Sequence, residues 1–429
     1  MRLRGLLRVL AGVALAASLA ACSPEDALAP TPSIYAGPGA TALVDSPRST
    51  GDDLSLIYVT DRAPMTDPAT GALAYGAGRS RFMSFGTVDV DVIPPSSPTE
   101  TGKLKLGTVS EIGRFPEGPY TTEPTPKGVR RAPDVVAAHE NAVAELQAEI
   151  RQRLAKTQRK EVVFFIHGYN NSFDDAARTT GNICHYLGHE FVCIVLTWPA
   201  GGKGMFMGYN VDRESSEFAV ADMKKAIGAI SETEGVRAVD LIAHSRGTDV
   251  LTSAMQQLGI EAYASRSSLS QLLKAKNVVL FAPDIDIDVA STKLFGVVSD
   301  PDARYGPKKN PNGLFPQGNV HLTIYSSPDD KALGLSSFLF SSNMRLGQQD
   351  LNRPDAKALG EGSGSAGLVD FIEVNGTTDM FGHGYFLSNP AVSSDLVAMI
   401  RYGLKPGDPG RPLVQINGPF WRLASAQAN

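Results

Sequence analysis

The sequence predicts an α/β domain: a mostly parallel central sheet flanked by helices, with an antiparallel N-terminal edge. Three observations predict it. From residue 161 onward, short apolar runs alternate with amphipathic ones, the spacing of parallel strands joined by crossover helices. The runs "EVVFFIH", "FVCIVLT", "AVDLIAH" and "NVVLFAP" are apolar at nearly every place rather than every second one, which fits strands covered on both faces. Ahead of them, "SLIYVTDRAP", "FGTVDVDVIP" and "GKLKLGTV" are β-branched or aromatic runs bounded by turn residues, as in an antiparallel edge.

The chain opens "MRLRGLLRVLAGVALAASLAACSPED", with arginines at positions 2, 4 and 8 and then an uncharged apolar run to Ala21. That run is short for a bilayer span and has the n-region and h-region pattern of a secretory signal. "LAAC" resembles a bacterial lipobox, which implies cleavage before Cys22 and acyl chains on it; an ordinary signal peptide cleaved near Ala21 is the alternative. Each buried methylene contributes about 0.8 kcal/mol, so several chains would hold the protein on a membrane without a transmembrane helix. Ser23 rather than Asp after the cysteine favours the outer membrane, by likeness to Gram-negative lipoproteins. The expected localisation is the cell envelope, facing periplasm or exterior.

Residues 1–22 are thus read as signal peptide, 23–50 as a flexible Pro/Ala/Ser/Gly/Thr tether, 51–405 as the folded domain and 406–429 as a C-terminal tail. The formal net charge of −5 becomes more negative once the three signal arginines are gone, which gives no reason to expect nucleic acid.

Within the domain, 134–160 has the spacing of a long amphipathic helix. "SFDDAARTTGNICHYLG" reads as a helix capped by Ser172 with Asp175 three residues on; "ESSEFAVADMKKAIGAISE" and "TDVLTSAMQQL" follow as helices, "NVHLTIYSSPDD" as a strand and "SSDLVAMIRYGL" as the closing helix. Cys184 and Cys193 form either a disulfide or two buried thiols. Residues 289–318 and 335–368, dense in Gly, Pro, Ser and Asn, read as lids, binding loops or surface insertions.

"LIAHSRGT" carries the chemistry. A buried strand turning into a helix through small-x-Ser-x-Gly, here with Ala243 and Gly247 around Ser245, is the setting that lifts a serine hydroxyl on a tight turn. The earlier strand end "HGYN" supplies an oxyanion amide, Tyr169 or its neighbour Asn170, with the Arg246 amide as the other. A serine needs a base oriented by a carboxylate, in the order Ser, acid, His. Of the histidines only His321 and His383 follow Ser245; His321 lies inside a strand before the acid, which leaves His383. Asp330 is the favoured acid, with Asp329 and Asp284 as rivals. His185 and His189, beside Cys184 and Glu190, have metal-like i, i+4 spacing but lack further ligands, so a plain helix surface is preferred and no metal is assigned. Tyr209, Asp212 and Arg213 either border the site or lead into a helix. No phosphate-binding glycine motif is present, so no cofactor is indicated.

"FFIHGYNNSF", "LTWPA", "LIAHSRGT", "APDIDID", "IYSSPDDKALGLS" and "DMFGHGYFLSNP" together resemble the alpha/beta-hydrolase superfamily, and within it a bacterial esterase/lipase-like family long known as a domain of unknown function. The likeness spans about residues 55–402. It implies the acid at Asp330 and the base at His383. Arg246 stands where relatives carry a small residue or methionine; it either biases the pocket toward anionic substrates or points to solvent. The expectation is a lipid-anchored serine hydrolase acting on an ester-containing small molecule or lipid. The rivals are a non-catalytic envelope lipoprotein using the same fold for binding or scaffolding, and a hydrolase of amides, thioesters or peptides.

Overall fold

The structure, a computed structural model, describes residues 26–35, 54–95, 101–201, 205–265, 269–295, 320–340, 344–350, 369–376 and 381–424. Cys22 and most of the two Gly-rich intervals lie outside them.

Strands β1 (Leu54–Thr66), β2 (Leu73–Ile93) and β3 (Lys103–Arg114) form the antiparallel edge, followed by a small hairpin of β4 (Thr122–Thr125) and β5 (Gly128–Arg131). Helix α1 (Pro133–Lys156) starts on a proline, whose missing N–H costs nothing at that place, and buries Ala142, Leu146, Ile150 and Leu154, one residue per turn. Then come β6 (Glu161–Ile166), α2 (Phe173–Tyr186), β7 (Val192–Thr197), α3 (Met205–Glu232), β8 (Ala238–His244), α4 (Gly247–Ala264), α5 (Leu269–Leu273), β9 (Ala275–Phe281) and α6 (Ile287–Ala290). The chain continues through β10 (His321–Ser326), α7 (Lys331–Phe340), β11 (Val369–Glu373), α8 (Tyr385–Ser388), α9 (Pro390–Ile400), β12 (Leu413–Asn417) and β13 (Phe420–Leu423).

The main sheet runs β12-β13-β11-β10-β9-β8-β6-β7-β1-β2-β3. From β13 to β1 the pairings are parallel, and the antiparallel strands sit at the two edges. The unbroken apolar runs are explained by the pleat. Val162, Phe164 and Ile166 of β6 face the core under α1, α3 and α4, while Val163 and Phe165 face a second core under α2, α8 and α9, all fully buried. Helix α2 begins as expected: Ser172 Oγ accepts from Asp175 N at 3.1 Å and Asp175 Oδ2 accepts from Ser172 N at 2.9 Å. Cys184 and Cys193 are joined in a disulfide between the last turn of α2 and β7.

Two expectations about the ends are corrected. Residues 26–35, read as tether, are docked: Leu28, Ala29, Ile34 and Tyr35 pack against the second core. The region read as a tail adds β12 and β13 to the sheet, because Phe420 and Trp421 pair with Phe371 and Ile372 of β11 and bury their rings.

Candidate active site

The parallel strands end together, and Tyr169, Ser245 and Asp330 follow the C-terminal ends of β6, β8 and β10. Ser245 follows β8 with φ of 52°, a conformation costing a non-glycine residue roughly 1–2 kcal/mol. The turn is held on both sides: Ser245 N donates to Phe281 O at 2.9 Å, and its carbonyl accepts from Thr248 Oγ1 at 2.6 Å and Thr248 N at 3.1 Å. A Cβ on Gly247 would collide with His167 O, and one on Gly168 would stand 2.7 Å from Ser245 Cβ. The end of β6 and the serine turn therefore meet backbone to backbone. Ala243 is fully buried in the core, so its methyl group is accommodated where glycine is usual.

Asp330 and His383 are brought together. His383 Nδ1 lies 2.7 Å from Asp330 Oδ2, and Asp330 Oδ1 accepts from Leu333 N at 3.0 Å at the start of α7. With the proton on Nδ1 facing a buried carboxylate, Nε2 is the basic nitrogen. His244, the residue before the serine, donates from Nε2 to His383 O at 3.2 Å, and its ring sits 4.8 Å from that of His383 and 4.4 Å from Phe386. Among the described residues Ser245 Oγ is not hydrogen-bonded to the imidazole; in hydrolytic sites this contact commonly closes only with substrate in place.

The rival acids are engaged elsewhere. Asp284 receives Tyr209 Oη, Ser336 Oγ at 2.9 Å and Arg345 at 3.2 Å. Asp329 accepts from Gly376 N at 3.4 Å. His321 pairs with Asp370 at 2.6 Å at the opposite end of the strands. Cys184, being in the disulfide, is not a thiolate ligand, and His185 and His189 face each other at 3.1 Å. Among the described residues there is no group of three or more His, Cys, Asp or Glu arranged to hold a metal.

The loop after β6 is fixed from below. Asn170 N donates to Asp212 Oδ2 at 3.0 Å, as does Gly201 N at 3.1 Å. Among the described residues the main-chain N–H groups of Tyr169 and Arg246 meet no acceptor, whereas that of Asn170 is taken by Asp212. Beneath them, His167 Nδ1 donates to Gly168 O at 2.8 Å and Nε2 accepts from Trp198 N at 3.0 Å, with the two rings stacked 5.0 Å apart. Loss of water, and secondarily the Arg62 charge, hold the His167 pKa well below the usual imidazole value, so the ring is neutral.

Two residues in this support were not singled out or not placed by sequence reasoning. Buried Arg62 donates to Thr197 Oγ1 (2.9 Å), Ala200 O (2.9 Å), Gly76 O (3.2 Å) and Asn171 O (2.6 Å), and reaches His167 Nε2 (3.3 Å). Burial lowers its pKa to about 10. Its signal in the sequence was a charged pair, Asp61-Arg62, at the end of an apolar strand. Asp212 is the anchor of two loops rather than a rim residue. Arg246 takes neither place foreseen for it: its side chain is buried, 2.7 Å from Asp249, and also meets Ser216 Oγ (3.3 Å) and Asp284 O (3.4 Å).

A hydroxyl on a strained turn, an imidazole backed by a buried carboxylate and two unsatisfied amides are a set able to carry acyl transfer. Residues 142–401 match the family model described as an alpha/beta hydrolase of unknown function, DUF900. A search of curated proteins gave no match. Among solved structures the chain is similar to an esterase of Pyrobaculum calidifontis (13% identity, TM-score 0.29, covering 58% of this chain and 78% of that one). It is similar also to a lipase-esterase related protein of Clostridium acetobutylicum ATCC 824 (11% identity, TM-score 0.29, covering 58% and 97%). Likeness at that level carries no argument about activity.

Proposed function

Because the chain belongs to this family of alpha/beta hydrolases, whose model covers more than half of it, we propose that it is a serine hydrolase acting on carboxylic esters from a lipid anchor in the cell envelope. The observation that carries the reading is the 2.7 Å contact between His383 and Asp330, which stand beside the Ser245 turn. In this reading Ser245 attacks the carbonyl carbon while His383 Nε2 takes its proton, and Asp330 holds the imidazole in the required tautomer. The Tyr169 and Arg246 amides receive the oxyanion. The imidazolium returns the proton to the leaving alkoxide, and water, deprotonated by the same nitrogen, releases the acid. The disulfide between Cys184 and Cys193 supports export to an oxidising compartment.

The test is labelling of the purified protein by a fluorophosphonate. Wild type is expected to label and Ser245→Ala not to; absence of labelling on folded wild type returns the reading to a binding protein. Hydrolysis of p-nitrophenyl esters is expected to fall on the order of 10⁶-fold in Ser245→Ala, and by several orders of magnitude in His383→Ala.

A further inference from the structure

We propose that Cys22 fastens the molecule to the membrane by the end of the sheet opposite Ser245, so that the site opens away from its own bilayer and takes water-dispersed esters from the compartment. The proposal rests on acylation of Cys22 and, for its substrate class, on the hydrolase reading above.

Residues 26–35 form a strap across one end of the domain. Asp26 O accepts from Leu104 N and Leu28 N donates to Gly102 O, both at 2.7 Å, beside an antiparallel bridge between Ala27 and Lys103. The strap then crosses α2 and α9. Ala29 N donates to Asn182 Oδ1 at 2.8 Å, Tyr186 Oη donates to Ala29 O, and Ile34 N donates to Ser394 Oγ at 2.8 Å. Tyr35 Oη donates to Tyr186 O at 2.6 Å and accepts from Arg401 Nη1 at 2.8 Å.

These partners fix which end this is. Tyr186 closes α2 just before the chain re-enters the sheet at Val192, the start of β7. Arg401, past the end of α9, pairs with Glu190 at 2.6 Å, and Glu190 pairs with Arg159 at 2.9 Å, two residues ahead of β6. All lie at the N-terminal ends of the parallel strands; Ser245 and Asp330 leave from the C-terminal ends. The twist of the sheet turns β3 out of line with β8, so the placement rests on the α2 and α9 contacts rather than on β3.

The reach of the anchor then decides the matter. Four residue steps separate Cys22 from Asp26, at most about 14 Å of extended chain. The seven residues of β8 alone rise about 20 Å, and five strand places between β3 and β8 add about 24 Å sideways. A leash this short holds the strapped end at the lipid and keeps Ser245 beyond reach of that leaflet.

The experiment uses the full lipidated chain on vesicles of phosphatidylethanolamine and phosphatidylglycerol carrying an acceptor dye on a lipid headgroup. A donor dye is placed on Lys103→Cys, beside the strap, or on Leu335→Cys, an exposed position in α7 on the Ser245 side. Several-fold stronger energy transfer from position 103 is expected; equal or stronger transfer from 335 overturns the proposal, as does a mass showing no acyl group on Cys22. The dyes report orientation whether or not Ser245 hydrolyses anything, so a failed hydrolase reading is seen separately, as absent fluorophosphonate labelling. In the kinetic arm, kcat/KM for a short water-soluble p-nitrophenyl ester is expected to agree within about 2-fold between the vesicle-bound chain and Cys22→Ser. Faster release of fatty acid from the host vesicles by the anchored chain would refute the substrate class.

Discussion

At the scale of single residues, two arginines flank the serine turn, and both are clamps. For Arg246, loss of water opposes the charge, but Asp249, Tyr209 and Asp284 outweigh it and raise the pKa. The guanidinium ties the first turn of α4 to α3 and to the loop after β9, and so holds its own amide in place. Breaking a buried pair costs about 3–5 kcal/mol, and Asp249 keeps Lys293 at 2.7 Å, so Arg246→Met is expected near the lower figure in thermal or denaturant unfolding. The ratio of kcat/KM for anionic against neutral esters should stay within about 2-fold; a collapse of that ratio with unchanged stability would put the guanidinium in the pocket after all. Arg62 acts on the other amide. Its planar fork satisfies five acceptors at once, which an ammonium cannot reproduce. In Arg62→Lys the loop carrying Tyr169 loses its support, and a displacement of about 1 Å is enough for a roughly 10²-fold loss of kcat with little change in KM. Steady-state kinetics on a variant with native circular dichroism checks it, and an unchanged kcat would mean that Arg62 does not hold the loop carrying Tyr169 for the proposed reaction.

At the scale of elements, β8, the strand that carries Ser245 at its end, contains a costly group. Asp240 sits fully buried in β8; Oδ1 accepts from Asn277 Nδ2 at 2.6 Å, while Oδ2 has no hydrogen-bond partner among the described residues. Burial raises its pKa to about 7. Below the unfolded pKa near 4 both states hold the proton, so nothing is lost there. As pH rises from about 4 to about 7 the unfolded chain releases its proton and the folded one does not, which removes about 1.4 kcal/mol of stability per pH unit. Asp240→Asn does not titrate, so its stability relative to wild type is expected to climb between pH 4 and pH 7 and level off above; a difference independent of pH would mean that Asp240 is ionised in the fold. The same elements show what the sequence disclosed. The β8 turn and the helix cap at Ser172 were legible because each depends on neighbours in the chain, whereas the contact of Asp330 with His383 joins residues far apart in the sequence and was approached through the order of the motifs. Arg62, Asp212 and Trp198 were not, because their roles arise from contacts between β1, the loop after β7 and α3 that no local spacing encodes.

At the scale of the whole molecule, the parallel sheet was legible from its apolar runs, whereas its last three strands were not. β11 is only five residues long, and β12 and β13 have mixed polarity because they form an edge. The sheet nevertheless depends on them. Arg411 reaches back to Asp395 of α9 at 2.6 Å with both side chains buried, Trp421 Nε1 donates to Asp370 at 2.7 Å, and Arg422 bonds Glu373 at 2.8 Å. A chain ending at residue 405 would leave the Asp395 carboxylate buried with only Tyr325 Oη of these partners, and would open the outer edge of β11. The first loss costs about 3–5 kcal/mol out of the roughly 5–15 that typically hold a domain together, and the second exposes an unpaired strand next to apolar Phe371. The truncated chain is therefore expected to be recovered as aggregate, and Arg411→Met in the full chain as soluble protein of lowered melting temperature. Size-exclusion chromatography and thermal unfolding check both. A monomeric truncated chain that melts with wild type would make the hairpin an appendage, and the sheet would then owe its stability to the strands between β1 and β11 alone.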